Sequence, residues 1–341
     1  MNRRAFIKNT AGLLAASQVM CTKTQGATLN TAAGPVAADD LGIVLMHEHI
    51  MVDFTPAENF IPDNADHDTV VAAVLPRLQE AHALGVRTLV DASSYYLGRR
   101  ADIYRTLSQR SGVRIVCATG LYRDPYYPEF VRTEPIDKIV SFLRSECTIG
   151  LDGTDVMPGV IKLAASKDAL TPEEEKVHRA AAVIQKEFGL SITIHCPDGR
   201  VGLAILDILK AEGADCSRVV LYHSSGTNDT DIHARIAETG AFPLFDGIGK
   251  NADKDDVVAG FLESLFSRGL GNQVLIGGDV TWFDVADKTG QKSAPAGGRI
   301  HERGYGYIIQ TLLPKLRSRG FAEDQIQALM VENPRRALTG L

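Results

Sequence analysis

Eight short apolar runs, separated by stretches of helical period, constrain this 341-residue chain more than any other feature. They are Gly42–Met46, Arg87–Ser93, Val113–Tyr122, Gly159–Ala164, Ser191–Cys196, Val219–His223, Ala241–Asp246 and Val274–Asp279. Each is close to continuously hydrophobic, the pattern of a strand covered on both faces, as in a parallel sheet. Helical patterns fill the intervals at Asp68–Leu84, Thr171–Glu187, Gly199–Glu212, Asp229–Glu238, Asp253–Ser267 and Arg303–Arg319. Thr171-Pro-Glu-Glu174 reads as an N-cap, a proline at the first helical position and a capping-box glutamate, and Gly189 reads as the stop. Strand–helix alternation of this kind closes into a (β/α)8 TIM barrel, predicted here as one domain over residues 40–341. At 45% apolar residues the chain has material for one such core. The competing architecture is an open doubly wound sheet, but no glycine-rich nucleotide fingerprint follows any of the runs.

Residues 1–27 stand apart. They carry Arg3, Arg4, Lys8 and Lys23, no acidic residue, and a mildly apolar stretch from Ala11 to Met20. Asn2-Arg-Arg-Ala-Phe-Ile-Lys8 resembles a twin-arginine export signal, with cleavage expected between Gly26 and Ala38. Periplasmic or secreted localisation follows as an expectation. Elsewhere no apolar run approaches the roughly 18 residues of a membrane span. The net charge is −6, and losing the four basic residues makes the remainder more acidic still. Nucleic acid is therefore excluded as a partner, because phosphate binding needs a basic surface. The four cysteines beyond the signal show no CxxC spacing, so neither a structural zinc site nor a disulfide framework is read from them, and a Cys147–Cys216 pair stays open.

The chemistry is carried by histidines. His47 and His49 end the first run in Met46-His-Glu-His-Ile50, and side chains two apart on a strand face the same way, toward one metal. His195 ends the fifth run and His223 the sixth. Four of nine histidines thus fall at C-terminal strand ends, the face where barrel active sites assemble. The other five, His67, His82, His178, His233 and His301, are read as solvated. Asp279 follows two glycines at the end of the eighth run, as a ligand that doubles as proton acceptor or as a helix cap. Lys162 sits inside an otherwise apolar fourth run, where an ammonium is costly and would repel metal ions. Either it reaches the rim, or it is converted by carbon dioxide to a carbamate, an anionic oxygen ligand.

Taken together, the chain resembles the phosphotriesterase family of the amidohydrolase superfamily, with its phosphotriesterases and lactonases. The residues that carry the likeness are Gly42-x-x-Leu45-Met46-His-Glu-His-Ile50, Ala118-Thr-Gly-Leu-Tyr122, Gly159-Val-Ile-Lys162, Ile194-His195, His223-Ser-Ser-Gly226, Gly278-Asp279 and Glu332-Asn-Pro-Arg335. The resemblance implies two divalent metal ions, usually zinc, with manganese, cobalt or iron as substitutes. His47, His49 and Asp279 would hold the more buried ion and His195 and His223 the more exposed one, with carboxylated Lys162 bridging both. A bridging hydroxide would attack an ester, lactone or phosphotriester, and Asp279 would accept or shuttle the proton. A lactone or carboxylic ester is the favoured substrate, and the family adds a homodimer as the expected assembly. A non-catalytic or weakly catalytic binding member of the same family, and a one-metal deaminase-like enzyme, are the rival readings.

The substrate pocket is expected to draw on Tyr122, Asp246, Lys250 and Trp282. Lactonases acting on acyl-homoserine lactones typically carry Arg after the aspartate of the seventh run, and Gly247 departs from that pattern. Lys250 is either a handle for an anionic substrate group or a solvated lysine. Asp284–Arg303 is expected to form the specificity loop, with Trp282 at its start as pocket wall or as packing.

Overall fold

The structure is a computed structural model, and it describes residues 27–249, 252–286 and 303–341. Lys250, most of the segment Asp284–Arg303, and the expected export signal up to residue 26 lie outside the described residues.

A short antiparallel hairpin, β1 (Thr28–Thr31) and β2 (Gly34–Ala37), precedes the barrel. The barrel then runs β3 (Ile43–Asp53), α1 (His67–Ala83), β4 (Val86–Asp91), α2 (Ala101–Ser111), β5 (Arg114–Val116) and β6 (Ala118–Thr119). There follow α3 (Glu129–Thr133), α4 (Ile136–Thr148), β7 (Val160–Ala164), α5 (Pro172–Phe188), β8 (Ser191–His195), α6 (Gly199–Ala211) and β9 (Val219–Tyr222). The chain closes with α7 (Thr230–Glu238), β10 (Phe242–Phe245), α8 (Ala252–Ser267), β11 (Leu275–Ile276), β12 (Thr281–Ala286), α9 (Leu313–Ser318), α10 (Glu323–Gln327) and α11 (Asn333–Thr339). All barrel pairings are parallel. Two sheets, β12-β3-β4-β5 and β11-β10-β9-β8-β7-β6, meet where the third barrel strand is interrupted at Cys117 and the eighth at 277–280. Counting β5/β6 and β11/β12 as one strand each gives the eight strands of the (β/α)8 barrel.

Inward-facing Val44, Met46, Val90, Val116, Val160, Val220, Leu244 and Leu275 fill the barrel, and Leu29 of the hairpin and Leu338 of α11 pack onto the same cluster. A second layer lies between strands and helices. The closing Glu332-Asn-Pro-Arg335 motif has a mechanical basis: fully buried Asn333 donates through Nδ2 to the carbonyls of Gly271 (2.8 Å) and Val274 (2.7 Å). It ties the C-terminal helix to the chain entering β11.

Three expectations are corrected. The first strand does not stop at Met46 but continues to Asp53, because β12 pairs with its second half. His178 and His233 are not solvated but completely buried; His178 Nδ1 contacts the Glu174 carbonyl and His233 Nε2 the Ser224 carbonyl. Trp282 begins no loop: it lies in β12 with its indole against α1, donating to the Ala73 carbonyl (2.9 Å) under the Arg77 guanidinium. The four cysteines of the described residues are unpaired, so Cys147 and Cys216 form no disulfide.

One buried charge cluster anchors the loop after β4. Arg99 is 1% exposed and donates to Glu146 (2.6 Å), Asp152 (2.6 Å) and the Ala118 carbonyl (2.7 Å). Removing one partner of such a cluster leaves uncompensated buried charge. Arg99→Met is therefore expected to destabilise the fold by about 3–5 kcal/mol, read as a lower urea midpoint; an unchanged midpoint would show that the cluster adds nothing to stability.

Candidate metal centre

The C-terminal ends of the strands bring His47, His49, Lys162, His195, His223 and Asp279 toward one another. His47 and His49 project from the same face of β3, and their Nε2 atoms lie 3.6 and 3.7 Å from Asp279 Oδ1. That spacing is long for hydrogen bonds and short enough for three donors to share one cation at about 2 Å. His223 follows β9, with its ring centroid 5.0 Å from that of His47 and 4.3 Å from that of His195.

Each imidazole has its Nδ1 engaged. His47 Nδ1 lies 2.8 Å from Asp246 Oδ2, His223 Nδ1 2.9 Å from Asp246 Oδ1, His49 Nδ1 2.8 Å from Ser93 Oγ, and His195 Nδ1 3.1 Å from the Tyr122 hydroxyl. The Asp246 carboxylate, and the Ser93 hydroxyl whose own proton goes to the Met51 carbonyl, accept from Nδ1 and so leave Nε2 of His47, His223 and His49 for a metal. Burial drives three of these histidines toward the neutral form a ligand needs, lowering His47 to about 4 and holding His49 and His195 well below the usual range. Neutral imidazoles, a carboxylate and few competing donors make a set that suits a divalent cation.

Asp246 was expected in the substrate pocket and is instead buried beneath the histidines. It accepts from both Nδ1 atoms and from the His223 amide (2.9 Å), so its oxygens are spent on orientation. Burial alone would raise its carboxyl, but the bonds to His223 and His47 outweigh this and hold it well below the usual carboxylate range. His223 has φ 60, a left-handed backbone rare for a residue with a Cβ, which the amide bond to Asp246 helps to hold. Asp246→Asn loses one of these acceptors and should weaken metal binding roughly 10- to 100-fold, measured by chelator competition. Unchanged affinity would remove Asp246 from this role.

Lys162 lies on β7, 1% exposed, with Nζ 4.2 Å above the Tyr222 ring. Tyr222 in turn stacks on His47 at 3.7 Å and donates to the Met46 carbonyl. Burial lowers the lysine to about 7, against the pull of Asp279 and Asp246. The chain passes close by Lys162 at Gly120, where a Cβ would stand 2.0 Å from the Lys162 carbonyl oxygen, which explains the glycine in Ala118-Thr-Gly120.

Of the pocket residues, Tyr122 joins the centre, as an aromatic beside His195 that packs with Tyr126, Leu97 and Phe54. Trp282 does not. Ser93 and Tyr222 escaped the sequence reading, although both sit at or just beyond a strand end, where the histidines drew attention.

A family model decides what this arrangement belongs to: the phosphotriesterase family model matches residues 27–338. The chain belongs to the phosphotriesterase family. Among its relatives, the phosphotriesterase homology protein of Escherichia coli is 30% identical, over 87% of this chain and 97% of that one. The aryldialkylphosphatase of Saccharolobus solfataricus is 26% identical, over 88% and 96%. A solved structure of a Deinococcus radiodurans PTE-like lactonase variant is 32% identical, with a TM-score of 0.80, covering 91% of this chain and all of that one. This phosphotriesterase-family chain therefore shares both the barrel and the hydrolase ancestry expected from its sequence.

Proposed function

We propose that this family member is a two-metal hydrolase of lactones or carboxylic esters, with phosphotriester hydrolysis as a side reaction. The observation that carries the reading is the cluster of four imidazoles at the C-terminal mouth, with His47 and His49 Nε2 lying 3.6 and 3.7 Å from Asp279 and the His223 ring centroid 4.3 Å from that of His195. His47, His49 and Asp279 would hold one ion, His195 and His223 the other, and carboxylated Lys162 both. Zinc is the expected metal, as the donor set favours it. When bound, the two cations supply Lewis acidity, activating water near neutral pH and polarising the C=O or P=O bond.

The chain's own residues do the rest. The Lys162 amine, brought by burial to about 7, is in large part neutral at neutral pH and so able to add to carbon dioxide. Its nitrogen forms the new bond to carbon, a proton leaves to solvent, and the product carries the negative charge a ligand needs. Asp279, partly exposed at the mouth, takes the proton released as water attacks and returns it to the leaving group. Asp246 and Ser93 keep the imidazoles aimed. Tyr122 supplies an aromatic wall beside His195.

The names of the relatives support the range of bonds, since one is an aryldialkylphosphatase and another a lactonase. The test is a panel of lactones, aryl esters and phosphotriesters offered to zinc-loaded protein. Lactones or esters should give the highest kcat/KM. Ligand binding without turnover of any member would make the chain a binding member of its family instead.

A further inference from the structure

Glu48 stands between two ligands and yet is not one. It is 1% exposed and points away from the side taken by His47 and His49, as alternation along β3 requires. Its carboxyl group is committed to the opposite strand end: Oε1 accepts from the Gly278 amide (2.7 Å) and Oε2 from the Val280 amide (2.9 Å), two bonds that favour the ionised form against the burial that raises its pKa. The residue between those amides is Asp279. Its own amide donates to the His47 carbonyl (2.7 Å), and the His49 amide donates to the Val280 carbonyl (2.9 Å). Three successive amides, 278 to 280, are thus all answered by residues 47 and 48.

The backbone at Asp279 gives this a purpose. Its φ is 54, a left-handed conformation that an L-residue with a Cβ adopts only when its surroundings impose it. The eighth barrel strand breaks here between β11 and β12, so ordinary ladder pairing does not fix the turn. Gly278 shows how closely the clamp is fitted: a Cβ there would stand 2.6 and 2.7 Å from the two Glu48 oxygens. Gly277 is as tight, with a Cβ position 2.8 Å from His47 Cβ. Two glycines let the chain lie across His47 and Glu48, and the glutamate holds it there.

We propose that Glu48 is a positioning residue that fixes the Asp279 carboxylate in its working orientation by bonding the amides on both sides of it; this rests on the reading of Asp279 as ligand and proton acceptor. Glu48→Gln keeps one acceptor but turns an NH2 donor toward the other amide. Gly278→Ala reaches the same contact from the other side, pushing the carboxylate away without altering Glu48.

The experiment compares wild type, Glu48→Gln, Gly278→Ala and the double variant in zinc-loaded protein. Three quantities are read: zinc per chain, hydrogen exchange at the Gly278 and Val280 amides, and kcat and KM per zinc-loaded site. Exchange at both amides should quicken at least tenfold in Glu48→Gln. The kcat should fall on the order of 100-fold, as for an ångström-scale misplacement, with KM moving far less. The double variant should be no worse than the poorer single, because both lesions break one contact. Glu48→Asp, a carboxylate one methylene short, should recover part of the loss. A kcat per loaded site equal to wild type, or losses that simply multiply in the double variant, would overturn the proposal. Should Glu48→Gln not fold, Gly278→Ala alone decides by the same exchange and kcat readings. A wild type that turns over nothing on the panel would defeat the hydrolase reading instead, and the amide exchange would still report on the clamp.

Discussion

Asp279→Asn is expected to lower kcat by roughly 10²- to 10⁴-fold while leaving substantial metal bound. The asparagine keeps an oxygen beside His47 and His49 but no longer accepts a proton at neutral pH. Its size is unchanged, so the amide bond to the His47 carbonyl and the left-handed backbone at 279 should persist. The loss should therefore appear in kcat with little change in melting temperature. Steady-state kinetics and metal analysis on one preparation check this. Turnover at the wild-type rate would take the proton role away from Asp279.

Lys162→Ala should act on the metal rather than on the proton. Without its amine the carbamate cannot form, and metal content should drop from two ions per chain toward none, with activity falling in step. The shortened side chain leaves room beside Tyr222, where a short-chain carboxylate can enter and present the lost oxygens. Acetate or propionate with added zinc should recover part of both metal and activity. The wild type adds a pH dependence with a definite sign. Burial lowers Lys162 to about 7, so the neutral amine that reacts with carbon dioxide becomes the major form as pH rises through that value. Reactivation of metal-free protein by zinc and bicarbonate should accelerate over the same interval. Unaltered metal content in Lys162→Ala would show that the lysine is not a ligand.

Much of this site could be read in the sequence because barrel chemistry is local in the chain. A ligand at a strand end is preceded by its own apolar run, as in Ile192–His195 or Val219–His223, and the run announces the position. The parts that escaped are those where one side chain serves another across the barrel. Nothing near Asp246 in the chain says that it will meet two histidines; 199 residues separate it from His47. Glu48 is hidden in the same way, 230 residues from the amide it accepts from. His178 and His233 were misplaced because a polar residue on an amphipathic helix reads as solvent-facing unless its partner, here a backbone carbonyl, is known. The helices Ala101–Ser111 and Ile136–Thr148 drew no assignment. The buried face of the first includes Ser108 and Ser111, and that of the second includes Glu146, held by Arg99. The break in the eighth strand came from the double glycine, whose role appears only when His47 and Glu48 lie beneath it.

The central claim is that two metal ions, held by the six residues, make this chain a hydrolase. Its most direct test is a titration of metal-free protein with zinc in the presence of bicarbonate, following the rate on the best lactone or ester of the panel. The account predicts negligible activity at zero zinc and a rise that levels off at two equivalents per chain. A plateau at one equivalent, or full activity with no metal bound, would contradict it.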